Sequence, residues 1–270
     1  MNQDESKLLE GRIRELAQSA WQRDILRHTD FLSLSEQAVY HRIERTLSGG
    51  QRILYGGHPD ADRTCLFFLP SYMDVMDAPP EEDHCAQALP QEIRGCIACI
   101  RIRAANPRFA EPLSHRDYLG ALMNLGVDRA KTGDILTDGT GAEAYLFCTK
   151  EIAPFLCEEL VRVRHTSVVC EEAAADECSI RPSFEELHVN VPSERADAVL
   201  AAVWKLSRTE AASLIAQEAV FADGRSVLQP GMQLKAGMRV SVRGYGKFLY
   251  DGAEHTTKKG RLYVNVKKYC

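Results

Sequence analysis

Apolar positions along this chain switch between a spacing of three to four residues and a spacing of two, and the switches divide it into elements. Leu9, Ile13, Leu16 and Ala20 form the stripe of an amphipathic helix ending near Trp21. Ser33 followed by Glu36 has the form of a capping box and predicts a helix through Val39 and Ile43 to Leu47, stopped at Gly49-Gly50. Residues 52–55 and 64–69 read as strands around the turn-forming Gly56-Gly57-His58-Pro59-Asp60. Residues 1–75 are thus expected to be a helical region with one small β hairpin. The stretch 74–92, rich in acids and bearing Pro79 and Pro80, marks a boundary.

From Gly95 onward the order of elements is informative. A strand over 97–102 precedes a helix capped by Ser114 and Asp117 and carrying Leu119, Leu122 and Met123. Strands at 134–137 and 144–148 flank Asp138-Gly139-Thr140-Gly141, a helix follows through Ile152, Leu156 and Leu160, and 162–170 alternates as a last strand. This β-α-β-β-α-β order is ferredoxin-like, as in RRM domains, and sets a middle domain at 76–170. RNA stacking on such a sheet needs aromatics on its central strands, for which Tyr145 and Phe147 are the candidates, and both are equally readable as core. The alanine-rich, acidic 171–184 reads as a linker.

Past the linker, Ala198, Ala201, Ala202, Ala211, Leu214 and Ile215 mark two short packed helices, the second capped by Ser207 with Glu210. Val220, Phe221, the Asp223-Gly224 turn, Val227 and Leu228 predict a tight hairpin, and a further strand runs over 238–242. Charge changes here as well. From Val191 to the end there are 13 basic residues against 7 acidic ones, a net of +6, on a chain of 270 residues with a net charge of −5, so the first 190 residues carry −11. A basic end on an acidic protein is the electrostatic footprint of a nucleic-acid contact.

Composition narrows the remaining classes. No apolar run approaches a membrane span, and the polar first ten residues do not have the form of a secretion signal, so the chain is expected in the cytoplasm, with no membrane partner. Nine scattered cysteines, an odd number, read as reduced core residues; Cys96 and Cys99 form a C-x-x-C without a second pair at zinc spacing, so neither metal nor cofactor is expected. His115-Arg116-Asp117 has the letters of a kinase triplet but no glycine-rich loop or D-F-G companion. Ile135-Leu136-Thr137-Asp138-Gly139 resembles part of a pseudouridine synthase motif, yet no G-R-L-D precedes it and no G-x-G cofactor loop follows a strand. The expectation is a protein that is not an enzyme and has no small-molecule substrate. The alternatives are an RNA-modifying enzyme and a protein-interaction adaptor linked to cell division.

Residues 194–246 resemble the S4 RNA-binding (αL) domain: Arg195 with Asp197, Ser207 with Arg208, and Gly237 with Val240 and Val242 stand where that family has its R-x-D helix start, S-R helix start and G-x-x-V-x-V strand. The segment LSHRDYLGALMNLGVDRAKTGDIL, with FLSLSEQ, YGGHPDADR, VSVRGYGKF and TKKGRLYVNV, closely resembles the YlmH-type bacterial proteins in order along nearly the whole chain. The resemblance implies an α+β architecture: a helical N-terminal region, an RRM-like middle domain and an S4 domain at 185–270 with a basic C-terminal extension. It further implies a monomer binding structured rRNA and tRNA on the large ribosomal subunit carrying obstructed peptidyl-tRNA, in ribosome-associated quality control. The residues expected to contact RNA are Arg195, Lys205, Ser207, Arg208, Thr209, Arg225, Arg243, Lys247, Lys258 and Lys259, and Arg208→Glu with Arg243→Glu is expected to abolish binding and leave the fold intact.

Overall fold

The stripe on α1 (Gln3–Arg23) buries Ile13, Ala17 and Ala20 against α2 (Leu34–Ile43) and one face of a three-stranded antiparallel sheet in the computed structural model, which describes residues 3–73, 89–178, 180, 184–256 and 260–269. That sheet runs β1 (Arg27–Leu32), β3 (Thr64–Phe68), β2 (Arg52–Tyr55). The expected capping box opens α2, the Ser33 amide donating to Glu36 Oε2 at 2.7 Å. Strand β1 is an addition to the expected hairpin, so the helical region carries a three-stranded sheet. Its sequence hides the strand because the buried position between His28 and Asp30 is Thr29, whose hydroxyl accepts from the Leu66 amide at 3.0 Å and donates to the Asp30 carbonyl at 2.7 Å. A polar residue satisfied in this way leaves no mark in a hydrophobic pattern.

The next elements are α3 (Gln91–Arg94), β4 (Ile97–Ala104), α4 (His115–Asn124), β5 (Thr132–Thr137), β6 (Glu143–Thr149), α5 (Ala153–Glu159), β7 (Arg162–Val163) and β8 (Thr166–Ala173), and their sheet runs β5-β6-β4-β8-β7. Counting β4, β5, β6 and β8 as strands one to four, this is the ferredoxin-like order 2-3-1-4. The single strand expected over 162–170 is a hairpin instead, because Arg164 takes a left-handed backbone at φ 53° and reverses the chain. Strand β8 then continues into the stretch expected to be a linker, pairing Ala173 with Cys99, and Cys178 is buried in the same core, so these residues belong to the folded unit.

One face of this sheet packs Ala98, Ile100, Ile102 and Leu146 against Tyr118 and Leu122 of α4 and Leu156 of α5. The other face is covered too. Cys99, Tyr145 and Phe147 pack on Phe31, Tyr55, Cys65 and Phe67, so β3 is sandwiched between two layers and all five of its residues are buried. Two glycines permit the approach: a Cβ on Gly57, at φ +97°, would lie 2.3 Å from Phe147 Cδ1, and one on Gly133 would lie 2.6 Å from the Phe31 ring. A polar tie closes the seam. Asp134 accepts from the amides of Asp62 and Arg63 and from His58 Nε2 at 2.7, 3.3 and 3.2 Å, while Arg63 donates to the carbonyls of Phe31, Arg129 and Thr132. Met1–Arg181 accordingly forms one compact unit and Pro182–Cys270 a second.

The second unit consists of β9 (Phe184–Val191), α6 (Ala196–Trp204), α7 (Arg208–Ala216), β10 (Val220–Ala222), β11 (Arg225–Ser226), β12 (Met238–Val242), β13 (Gly246–Thr256) and β14 (Leu262–Tyr269). Its six strands run β11-β10-β12-β13-β14-β9, with the two helices on one face over Val240, Val242, Phe248, Tyr250, Val264 and Val266. Asp223 and Gly224 both have positive φ, the primed turn that suits a two-residue hairpin. The hairpin is shorter than expected: Val227 is core and Leu228 is exposed beyond β11.

Candidate nucleic-acid interface

The corner between α6 and α7 is organised around one buried carboxylate. Asp197, in the first turn of α6 and 5% exposed, accepts from Arg195 at 3.1 and 3.2 Å and from Arg208 Nη2 at 2.5 Å. Burial pushes its pKa up, but the hydrogen bonds and charges of the two arginines outweigh burial and hold the carboxyl below its ordinary value. The two guanidinium groups stay about half exposed, so each is fixed on one side and open to solvent on the other. Asp197 is the residue that sequence reasoning left out of the site, although its R-x-D spacing from Arg195 is visible.

Lys205 ends α6 in a left-handed conformation, φ 55° and ψ 40°, which turns the chain sharply into α7. Ser207 caps α7 as expected: its Oγ accepts from the Glu210 amide at 3.1 Å and its own amide donates to the Glu210 carboxylate at 2.7 Å. The bonds from Ser207 lower the pKa of Glu210. The Ser207 amide is therefore taken, and the amides left for an anion at this helix start are those of Arg208 and Thr209.

Trp204 brings a second element to the corner. Its ring packs on Phe248 at 5.3 Å and edge-on against Tyr245 at 5.9 Å, setting the turn between β12 and β13 beside the end of α6. Arg243 is exposed at the start of that turn, and its amide is bonded to the Ala219 carbonyl at 2.9 Å; Arg195, Lys205, Ser207, Arg208 and Thr209 lie on the helical side of the corner. The other expected residues lie apart. Arg225 is exposed on the edge strand β11, and Lys247, alternating with core Phe248, projects from the opposite face of the sheet with its Nζ 4.4 Å from the centre of the Tyr269 ring. Lys258 and Lys259 lie outside the described residues. Sequence reasoning missed Trp204 and Tyr245, for which the G-Y-G triplet Gly244-Tyr245-Gly246 was the available signal.

In the first unit, Tyr145 and Phe147 are 1% and 0% exposed under the N-terminal sheet, which closes the face an RRM would use for stacking. Burial raises the thiol pKa of Cys99, Cys148 and Cys170 to about 12, so they are neutral core groups. Among the described residues no group of three His, Cys, Asp or Glu side chains is placed to hold a metal, and no helix is long and apolar enough to cross a membrane.

Residues 96–177, which span the ferredoxin-like sheet and its helices, match the family described as "Putative RNA-binding domain in YlmH". Over 244 residues the chain is 27% identical to the ribosome-associated protein quality control protein P2 of Bacillus subtilis (strain 168), an alignment covering 89% of this chain and 86% of that protein. The chain carries a match to the YlmH RNA-binding domain and is similar to this relative along most of its length. Among solved structures it is similar to the cell division protein ylmH from Streptococcus pneumoniae, with 18% identity and a TM-score of 0.47 over 67% of this chain and 98% of that one. The family match thus falls on the unit whose sheet is buried, and the basic helical corner lies outside it.

Proposed function

We propose that this is a non-catalytic, monomeric, cytoplasmic RNA-binding protein that holds structured rRNA or tRNA on the large ribosomal subunit, the subunit carrying obstructed peptidyl-tRNA, in ribosome-associated quality control. The observation that carries this reading is the corner where Lys205 and Arg208 flank the exposed start of α7 and the turn that begins at Arg243 docks through Tyr245 on Trp204, within a segment of net charge +6. The S4 pattern of the same residues supports it, as does the similarity to a ribosome-associated quality control protein. Arginines held by Asp197 are pre-oriented, so little side-chain entropy is lost when their open edges meet phosphate oxygens.

The test is co-sedimentation with small subunits, empty large subunits and large subunits carrying peptidyl-tRNA. Arg208→Glu is the wrong probe, because it would set a second carboxylate against Asp197 and disturb the fold. Lys205→Glu with Arg243→Glu replaces two exposed side chains. Selective binding to the peptidyl-tRNA complex, lost in this double variant at unchanged circular dichroism, is expected, with a salt slope shallower by about two for the two lost phosphate contacts. Equal binding by the variant refutes the assignment of the corner.

A further inference from the structure

The first unit presents a cationic, aromatic end that the covered sheet does not reach. Strand β4 ends at Ala104, and the chain then turns through Asn106-Pro107-Arg108-Phe109, where Asn106 Oδ1 accepts from the Arg108 amide at 3.1 Å and the Asn106 carbonyl from the Phe109 amide at 3.1 Å. This braced turn holds the Phe109 ring 82% exposed, the most exposed of the large hydrophobic side chains described. An isolated exposed leucine needs no explanation, but an aromatic ring thrust out on a rigid turn beside arginines does.

The β7–β8 hairpin lies directly alongside. The Ala105 amide donates to the Ser167 carbonyl at 2.8 Å, the Glu111 amide to Thr166 Oγ1 at 3.2 Å, and the His165 amide to Glu111 Oε1 at 2.9 Å. This sets the turn bearing Arg108 and Phe109 beside the hairpin that carries Arg162, Arg164 and His165, with Arg103 on the adjoining strand β4. Three acids nearby are engaged: Glu171 bridges Arg103 at 2.7 Å, and Asp117 and Glu111 approach Arg164 at 3.5 and 4.0 Å. Arg108 and Arg162 make no ion pair among the described residues.

We infer that this end is a second RNA contact, in which an unpaired base stacks on Phe109 while Arg108 and Arg162 meet the flanking phosphates. Base–aromatic stacking with cationic neighbours is the chemistry by which single-stranded nucleic acid is held, and it requires an exposed ring, which the buried Tyr145 and Phe147 do not provide. The inference rests on the RNA-binding reading above. It goes beyond that reading in assigning a contact to Phe109, Arg108 and Arg162 and in naming an unpaired nucleotide as its target.

The experiment uses the full-length chain carrying Phe109→p-benzoylphenylalanine, irradiated on large subunits bearing peptidyl-tRNA. A nuclease-sensitive crosslink is expected. A parallel binding series on the same particles is expected to show Phe109→Ala and Arg108→Glu each weakening affinity on the order of tenfold, with Phe109→Tyr close to the parent. Because the ring is 82% exposed, these changes leave the fold alone, which thermal melts will verify. A crosslink to protein only, or no crosslink while the wild-type chain co-sediments, overturns this contact and leaves the α6–α7 corner standing. Failure of the wild-type chain to bind any RNA-bearing particle overturns both.

Discussion

Asp197→Asn isolates the charge at the centre of the α6–α7 corner while keeping its shape. The variant loses the negative partner of Arg195 and Arg208 and offers one amide oxygen where two carboxylate oxygens accepted three bonds. Removing one member of a fully buried pair costs about 3–5 kcal/mol, whereas an exposed pair contributes roughly 0–1 kcal/mol. Here the carboxylate is buried but both arginines are half exposed and can be rehydrated, which places the loss at about 2 kcal/mol. For a unit of the size of Pro182–Cys270 this corresponds to a fall in Tm of roughly 8–16 °C. Trp204 lies within 5.3 Å of Phe248 in that unit, so its fluorescence in a Trp21→Phe background follows the relevant transition. The sign with pH is fixed as well. A carboxyl whose folded pKa is depressed stabilises above its unfolded value, about 3.9, and that stabilisation disappears as the pH falls through the folded value. The difference between parent and variant is therefore full at neutral pH and narrows below about pH 4. A fall of less than about 3 °C at pH 7, or a difference that does not narrow in acid, refutes the view that this ion triad organises the corner.

Gly57→Ala drives a methyl group into the buried Phe147 ring and imposes a positive φ on alanine, and is expected to cost about 2–4 kcal/mol in thermal or urea unfolding of the first unit; a loss under 1 kcal/mol would contradict the packing described. Tyr145→Phe removes the hydroxyl bond to the Glu177 carbonyl, so stability should fall by about 1 kcal/mol and RNA affinity should not change; weaker RNA binding would mean the sheet face is open after all. Native protein at pH 8 should leave Cys99, Cys148 and Cys170 unmodified by a thiol-specific reagent until denaturant is added, and rapid labelling without unfolding would count against their raised pKa values.

Elements whose signals are local were legible in the chain. The Ser33, Ser114 and Ser207 capping boxes all form, the strand over 238–242 has the expected limits, and the Asp223-Gly224 turn is of the primed kind. What escaped depends on contacts distant in sequence. Strand β1 shows no alternation because Thr29 fills a core position and is satisfied by Leu66, 37 residues away. Alternation assigned Tyr145 and Phe147 to one face of a strand, but nothing local says that Phe31, Tyr55 and Phe67 cover that face. The same holds for the corner. Arginines and a capping serine can be read from their spacing, while the tethering of Arg208 to Asp197 and the docking of Tyr245 on Trp204 arise only when two helices and a turn meet.

The two-sided burial of β3 has a consequence for the order in which the chain becomes stable during synthesis. Phe31, Tyr55 and Phe67 are made early, but their cover includes Phe147, which is added 80 residues after Phe67. Until then the nascent N-terminal sheet presents an apolar surface with no partner, and closing so long a loop is slow compared with forming α1 and α2. A chain interrupted anywhere between residues 75 and 145 would expose that surface permanently. Such fragments should aggregate or be retained by chaperones, whereas a chain that reaches the end of β6 has in hand what it needs to seal its first unit.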